Sequence, residues 1–264
     1  MNATTLLKTD ELINLEREVS EGGASEAVVR RLERLKSKAE KEALGLLAKA
    51  LHTYEFRGDV LHTARLRDSK YLVECARDPH WATVEVLDLG WVRSKSLGGD
   101  TSDFIASLPL LHTLSLEADQ FPQRPCPGIT TLHLNGDVPI AVIAERFPGL
   151  RALALHYLHR TAELWAHPFA QQLESITLGA LTWTDGVLRL GPHQGGSSAE
   201  WIAQGPALRR LELREDELAE ERLFELQLLF EAARRKGAEV VLLPEPGPHS
   251  QWHSRRFDRR DRWH

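Results

Sequence analysis

At 264 residues, 42% hydrophobic and with a formal net charge of −5, the chain has the composition of a soluble protein long enough for one large core or two small ones. No run approaches the roughly 18 apolar residues of a membrane span, and the start MNATTLLKTDELINLEREVS lacks the basic-then-apolar order of a secretory signal. Cys75 and Cys126 have no paired spacing, which excludes a disulfide scaffold or zinc ribbon and points to a cytoplasmic protein.

Two helices are predicted first. Leu12, Ile13, Leu15 and Val19 share overlapping faces of a helix around Asp10 to Val19 that stops at Gly22-Gly23. Ser25 is placed to cap a second helix, whose stripe runs Val28, Leu32, Leu35, Ala39, Ala43, Leu46, Leu47 and Ala50. Its charged remainder, including Arg30, Arg31, Glu33, Lys36 and Glu40, reads as a solvated face. TYEFRGDVLHTARLRD then reads as a hairpin turning at Arg57-Gly58-Asp59, with a short helix over Ser69 to Ala76 behind it.

From here the pattern L-x-x-L-x-L recurs: VEVLDL, LHTLSL, ITTLHL, LRALAL, LESITL and LRRLEL. Their fourth residues are Leu87, Leu114, Leu132, Leu153, Ile176 and Leu211, separated by steps of 27, 18, 21, 23 and 35 residues. Pro109, Pro127, Pro148 and Pro206 each precede their mark by five residues, while Pro79 and Pro168 precede theirs by eight. Such a unit cannot bury its apolar face alone, so neighbouring units must stack on a shared core. The connecting segments DFIASL, PIAVIAERF, AELWAH and AEWIAQG are helix-compatible, with Asp103, Thr161 and Ser198 near their starts. The step of 35 contains ALTWTDGVLRLG, a hairpin signal at Asp185-Gly186 within an insertion near 179–196. A helix over Glu217 to Lys236 and a strand at 238–243 complete the fold, and Pro244, Pro246 and Pro248 lead into the tail.

The repeats resemble those of leucine-rich repeat proteins over about residues 60–243. DELINLEREV, EALGLLAKALHTYEFRGDVLHTARL and DPHWATVEVLDL resemble the lead-in of bacterial leucine-rich repeat proteins that carry a repeat-companion domain. The resemblance implies an α/β fold, an irregular leucine-rich repeat solenoid with an N-terminal helical cap and a C-terminal helix-strand cap. It carries no activity with it. The division expected is a helical cap over 1–58, the repeats over 59–243 and a flexible tail over 244–264. The Asn or Cys usual three residues beyond the last Leu is replaced by Val92, Asp119, Asp137, Leu158, Leu181 and Asp216, so the buried side-chain ladder must be missing or altered.

Alternation along a strand sends the Leu side chains inward and the residues between them to an open face. That face carries the file Arg65, Asp88, Ser115, His133, Ala154, Thr177, Glu212 and Leu242, and beside it Arg67, Gly90, Glu117, Asn135, His156, Gly179 and Arg214. Eight strands would span about 34 Å, the size of a protein epitope. On an outward position, Glu117→Ala is expected to change stability by less than about 0.5 kcal/mol.

His133 and His156 on adjacent strands, with Ser115 and Asp88, are where a hydrolase reading starts. No nucleophile elbow, HExxH, phosphate loop or dinucleotide signature accompanies them, so no catalytic, cofactor-binding or metal-ligating residue is assigned. His112, His159, His167 and His193 read as surface or packing residues. Of the tryptophans, Trp165 and Trp201 read as core and Trp81 as part of the cap before the first clear repeat, whereas Trp91 and Trp183 beside strand ends read as exposed and able to anchor an interface.

The tail HSQWHSRRFDRRDRWH carries five Arg against two Asp, a net of +3, which leaves about −8 for the rest by subtraction. Trp252, Arg255, Arg256, Arg259, Arg260 and Trp263 have the composition of a segment that stacks on bases and pairs with phosphates. The acidic remainder opposes a polyanion. The reading is therefore a non-enzymatic scaffold or regulator binding a protein partner through the concave sheet face, an immunity protein being one specific form. A nucleic-acid-associated protein acting through the tail and an uncharacterised hydrolase are the alternatives.

Overall fold

Eleven strands form one open sheet in a computed structural model that describes residues 3–22, 24–97, 100–155, 161–178, 181–190, 202–203, 205, 207–214 and 223–243. Their order across the sheet is their order along the chain: β1 (Leu51–Arg57), β2 (Val60–Leu66), β3 (Val86–Asp88), β4 (Thr113–Glu117), β5 (Thr131–Asn135), β6 (Ala152–Leu155), β7 (Ser175–Leu178), β8 (Leu181–Thr184), β9 (Val187–Leu190), β10 (Arg210–Arg214) and β11 (Glu239–Leu243). The pairs β1–β2, β7–β8 and β8–β9 are antiparallel and the others parallel. Ten gaps of about 4.8 Å give an edge-to-edge span of about 48 Å. The described helices are α1 (Ala3–Ser20), α2 (Glu26–Leu44), α3 (Leu72–Cys75), α4 (Thr101–Ala106), α5 (Ile140–Arg146), α6 (Thr161–Ala166) and α7 (Leu223–Arg235), so the class is mixed α/β.

The leucine pattern sets the register. Ala64, Leu87, Leu114, Leu132, Leu153 and Ile176 pair strand to strand in one row, and all are buried. Behind the row lie Val84, Leu111, Ile129, Leu150 and Leu173, and ahead of it Leu89, Leu116, Leu134, Leu155 and Leu178, again all buried. Phe104 and Ile105 of α4, Ile140 and Ile143 of α5, Leu164 of α6 and Leu229 and Ala233 of α7 join the same cluster. Those helices thus cover the leucine side of the sheet.

The prolines act through turns. The N–H groups of Leu111, Ile129 and Leu150 donate to the carbonyls of Leu108, Cys126 and Phe147, closing four-residue turns with Pro109, Pro127 and Pro148 second. Proline's fixed φ suits that position, and the residue before each proline is buried as a further core row. Successive turns stack so tightly that a Cβ at Gly149 would overlap the Pro127 carbonyl oxygen. The insertion is the hairpin β8–β9, with Asp185 at φ 50° and Gly186 at φ 78° supplying the left-handed pair such a turn requires.

Several local expectations change. Ser25 sits at the start of α2 without a side-chain capping bond, and Asp100 rather than Asp103 caps α4, accepting from the Ser102 N–H at 2.8 Å. Ala39 and Ala43 are exposed and Leu46 is 49% exposed, because α2 ends at Leu44, which takes the buried place in the stripe. Gly45, at φ 55°, then redirects the chain into a 3-10 turn that buries Leu47. Glu11–Arg31 at 2.5 Å and Glu16–Lys36 at 2.6 Å tie α1 to α2. β1 lies inside the 1–58 segment yet pairs with β2 as part of the sheet. Trp183 is not an exposed strand-end residue: its register opposite Ile176 and Leu188 turns the indole onto the core.

An unanticipated residue holds the backbone after β3. Gln120, 1% exposed, donates from Nε2 to the carbonyls of Gly90 (2.9 Å) and Val92 (2.5 Å), while its Oε1 accepts from the Glu117 N–H at 2.7 Å. It lies one residue beyond Asp119, in the 3-10 turn Ala118–Gln120 after β4.

Candidate functional site

Opposite the leucine rows, the pairing brings Arg65, Asp88, Ser115, His133, Ala154 and Thr177 into one outward row. The hairpin continues it with Thr182 and Arg189, and β10 and β11 add Glu212 and Val241. Leu242 pairs with Leu213 instead, so Val241 replaces it in the file. A second outward row, not extracted from the sequence, runs Thr63, Val86, Thr113, Thr131, Ala152, Ser175, Thr184, Val187, Arg210 and Glu239. Its signal is the third position of every L-x-x-L-x-L, two residues before the first row.

Charge on this face is concentrated toward the ends and largely paired. At one end Arg65 Nε lies 3.1 Å from Asp88 Oδ2, while Asp88 Oδ1 accepts from the Gly90 N–H at 2.8 Å. At the other, Glu212 accepts from Arg189 Nε at 2.7 Å; Arg210 Nε is 3.2 Å from its second oxygen, close enough for attraction but not aligned as a hydrogen bond. Between the ends the side chains are mostly small: Thr113, Ser115, Thr131, Ala152, Ala154, Ser175 and Thr177, with exposed His133 standing above them. Thr177–Thr182 and Ser175–Thr184 form hydroxyl pairs at 3.2 Å.

Arg67 lies just beyond β2 and donates from Nε to the Lys49 carbonyl at 2.7 Å. Glu117 and Asn135 are neighbours in register, and Asn135 Nδ2 lies 2.8 and 2.6 Å from the two carboxylate oxygens. Glu117→Ala therefore costs about 1 kcal/mol rather than nothing, because it leaves Asn135 without a charged acceptor. Arg214 is in β10 with its backbone opposite Leu243. His156, Gly179, Trp201 and the tail residues Trp252, Arg255, Arg256, Arg259, Arg260 and Trp263 lie outside the described residues.

The order Asp88, Ser115, His133 along the row bears on chemistry. A triad needs its carboxylate on the imidazole and the imidazole on the hydroxyl. Here Ser115 sits between the other two strands, and the Asp88 carboxylate is taken by Arg65 and the Gly90 N–H. Among the described residues, no group of three His, Cys, Asp or Glu side chains is placed to hold a metal ion, and no helix is long and apolar enough to cross a membrane.

The rim where strands begin holds a cluster that sequence spacing did not reveal. Glu85 Oε2, just before β3, is 3.1 Å from His62 Nε2 and 3.4 Å from His112 Nε2, with Arg57 Nη1 at 3.9 Å. Each imidazole Nδ1 meets the hydroxyl of the next residue, Thr63 at 2.9 Å and Thr113 at 3.0 Å. Arg57 ends β1, His62 lies in β2 and His112 immediately precedes β4, and only in-register pairing brings them together. The His112 hydrogen bond is the largest effect on the Glu85 carboxyl; desolvation opposes it, and the charge and hydrogen bond of His62 with the charge of Arg57 add to it, so the group is held below its ordinary value of 4.5. A carboxylate depressed in the folded state adds stability above 4.5 that is lost as pH falls through its lowered folded value. Glu85→Gln is accordingly expected to lose less stability than the parent between neutral pH and the acid range below 4.5, measured by urea denaturation at each pH.

The chain matches no protein-family model, no curated protein and no solved structure among those compared.

Proposed function

We propose that the chain is an irregular leucine-rich-repeat-like solenoid, capped by its N-terminal helices and by α7 with β11, that acts as a non-catalytic scaffold or regulator. Its open sheet face binds a protein partner. The observation that carries this reading is the pair of outward rows crossing the sheet, small and hydroxyl-bearing in the middle and charge-paired toward both ends. A broad, polar, self-compensated surface of this length suits the mixed contacts of a protein interface, where charges in the rim set register more than affinity. The order of Asp88, Ser115 and His133 supports binding over hydrolysis, since the carboxylate is spent on the wrong neighbours. An immunity protein sequestering a toxin is one form such a regulator takes.

The test is capture from native cells with the full-length chain, followed by measurement on the purified partner. Ala154→Arg places a long cation in the middle of the face without touching the core and is expected to abolish the complex. Glu145→Lys, on the helical side, is expected to leave it intact. Equal binding by parent and Ala154→Arg would remove the face from the interface, and turnover lost in His133→Ala would make the protein an enzyme.

A further inference from the structure

Trp91 is 74% exposed, the most exposed of the large apolar side chains described. Its backbone is held firmly. Asp88 Oδ1 accepts from the Gly90 N–H at 2.8 Å, Gly90 takes φ 54°, and the buried Gln120 amide donates to the carbonyls on both sides of Trp91, those of Gly90 and Val92. The Val92 side chain is sunk in the core, and a Cβ at Gly90 would stand 3.1 Å from the Leu66 carbonyl oxygen, so the segment is also pinned sterically. A surface loop gains nothing for folding by holding an indole in water, because exposing that much apolar area forgoes the benefit of burying it. We infer that Trp91 is a preorganised anchor, and that the end of the sheet near β3 is the energetic centre of a protein interface.

The surroundings select the occupant. Arg93 faces Asp68 at 3.8 Å, Ser96 donates to Asp68 at 2.8 Å, Arg65 faces Asp88, and Glu117 is held by Asn135. Arg93 and Arg65 face carboxylates and Arg67 is spent on the Lys49 carbonyl, so the two signs are interspersed here and not gathered into the cationic patch that suits nucleic acid or an anionic membrane. An aromatic knob ringed by paired polar groups matches the arrangement of a protein hot spot, in which a rim excludes water from one buried anchor. The partner is therefore a protein with an apolar pocket about one indole wide and an acceptor at its mouth for the indole N–H. Because the loop is already ordered, little conformational freedom is lost on docking.

This inference rests on the partner-binding reading, and its test separates the two. A photo-crosslinking amino acid at position 93 of the full-length protein, beside Trp91 and leaving the indole in place, is irradiated in the native cell and expected to trap the same protein that is captured by affinity. With that partner purified, Trp91→Ala should weaken binding about 30-fold, the range of a hot-spot residue, and leave the melting temperature unchanged. Trp91→Phe should recover part of the loss. Loss with Ala154→Arg but less than a twofold change with Trp91→Ala would overturn the anchor and keep the face; the reverse would keep the anchor and discard the face. No crosslink at 93, or Trp91-dependent binding to phosphatidylglycerol vesicles in place of a protein, also overturns it.

Discussion

Leu153→Asp is expected to unfold the protein at room temperature. Leu153 is 1% exposed and lies in register between Leu132 and Ile176, themselves buried, so a carboxylate there has no water and no partner. An unpaired charge in such a place costs several kcal/mol, comparable with the about 5–15 kcal/mol by which whole domains are stable. Ala154→Ser, one residue on but outward, should change stability by less than about 0.5 kcal/mol. Circular dichroism of the two variants checks the phase directly. A folded Leu153→Asp would mean that inward and outward are exchanged.

Gln120→Leu should cost about 3 kcal/mol or more. The leucine fills the space, but the Gly90 and Val92 carbonyls lose a donor and the Glu117 N–H loses an acceptor, at about 1–3 kcal/mol for each buried group left unsatisfied. For a protein of this size the melting temperature should fall by about 6–12 °C, at about 2–4 °C per kcal/mol. A fall of less than about 2 °C would mean that water replaces the amide and that the 90–92 segment is not held as described.

Legibility differed sharply between core and surface. At the three leucine positions from Val84 to Leu178 every residue is buried, because the periodicity that marks them is the same physical alternation that turns a strand's side chains to one side. The open-face residues Asp88, Ser115, His133 and Thr177 were readable by the same step, and so was the Thr113–Thr131 row that was passed over. The state of those residues was not readable. Asp88 serves Arg65 and the Gly90 N–H, Glu117 serves Asn135, and Glu212 serves Arg189, pairings that depend on which strand lies beside which.

By itself the sequence determined the α/β alternation, the inward phase of the strands, the proline turns between them and the Asp185-Gly186 hairpin, since each follows from local propensity and period. Only the tertiary structure decided that Gln120 holds the 90–92 backbone, that Trp183 turns inward while Trp91 stays out, and that His62, Glu85 and His112 meet on one rim. The Gln120 bond to Gly90 and the two imidazole bonds to Glu85 join residues 23 to 30 positions apart in the chain. No local pattern encodes such distances, and stacking strands in register sets them.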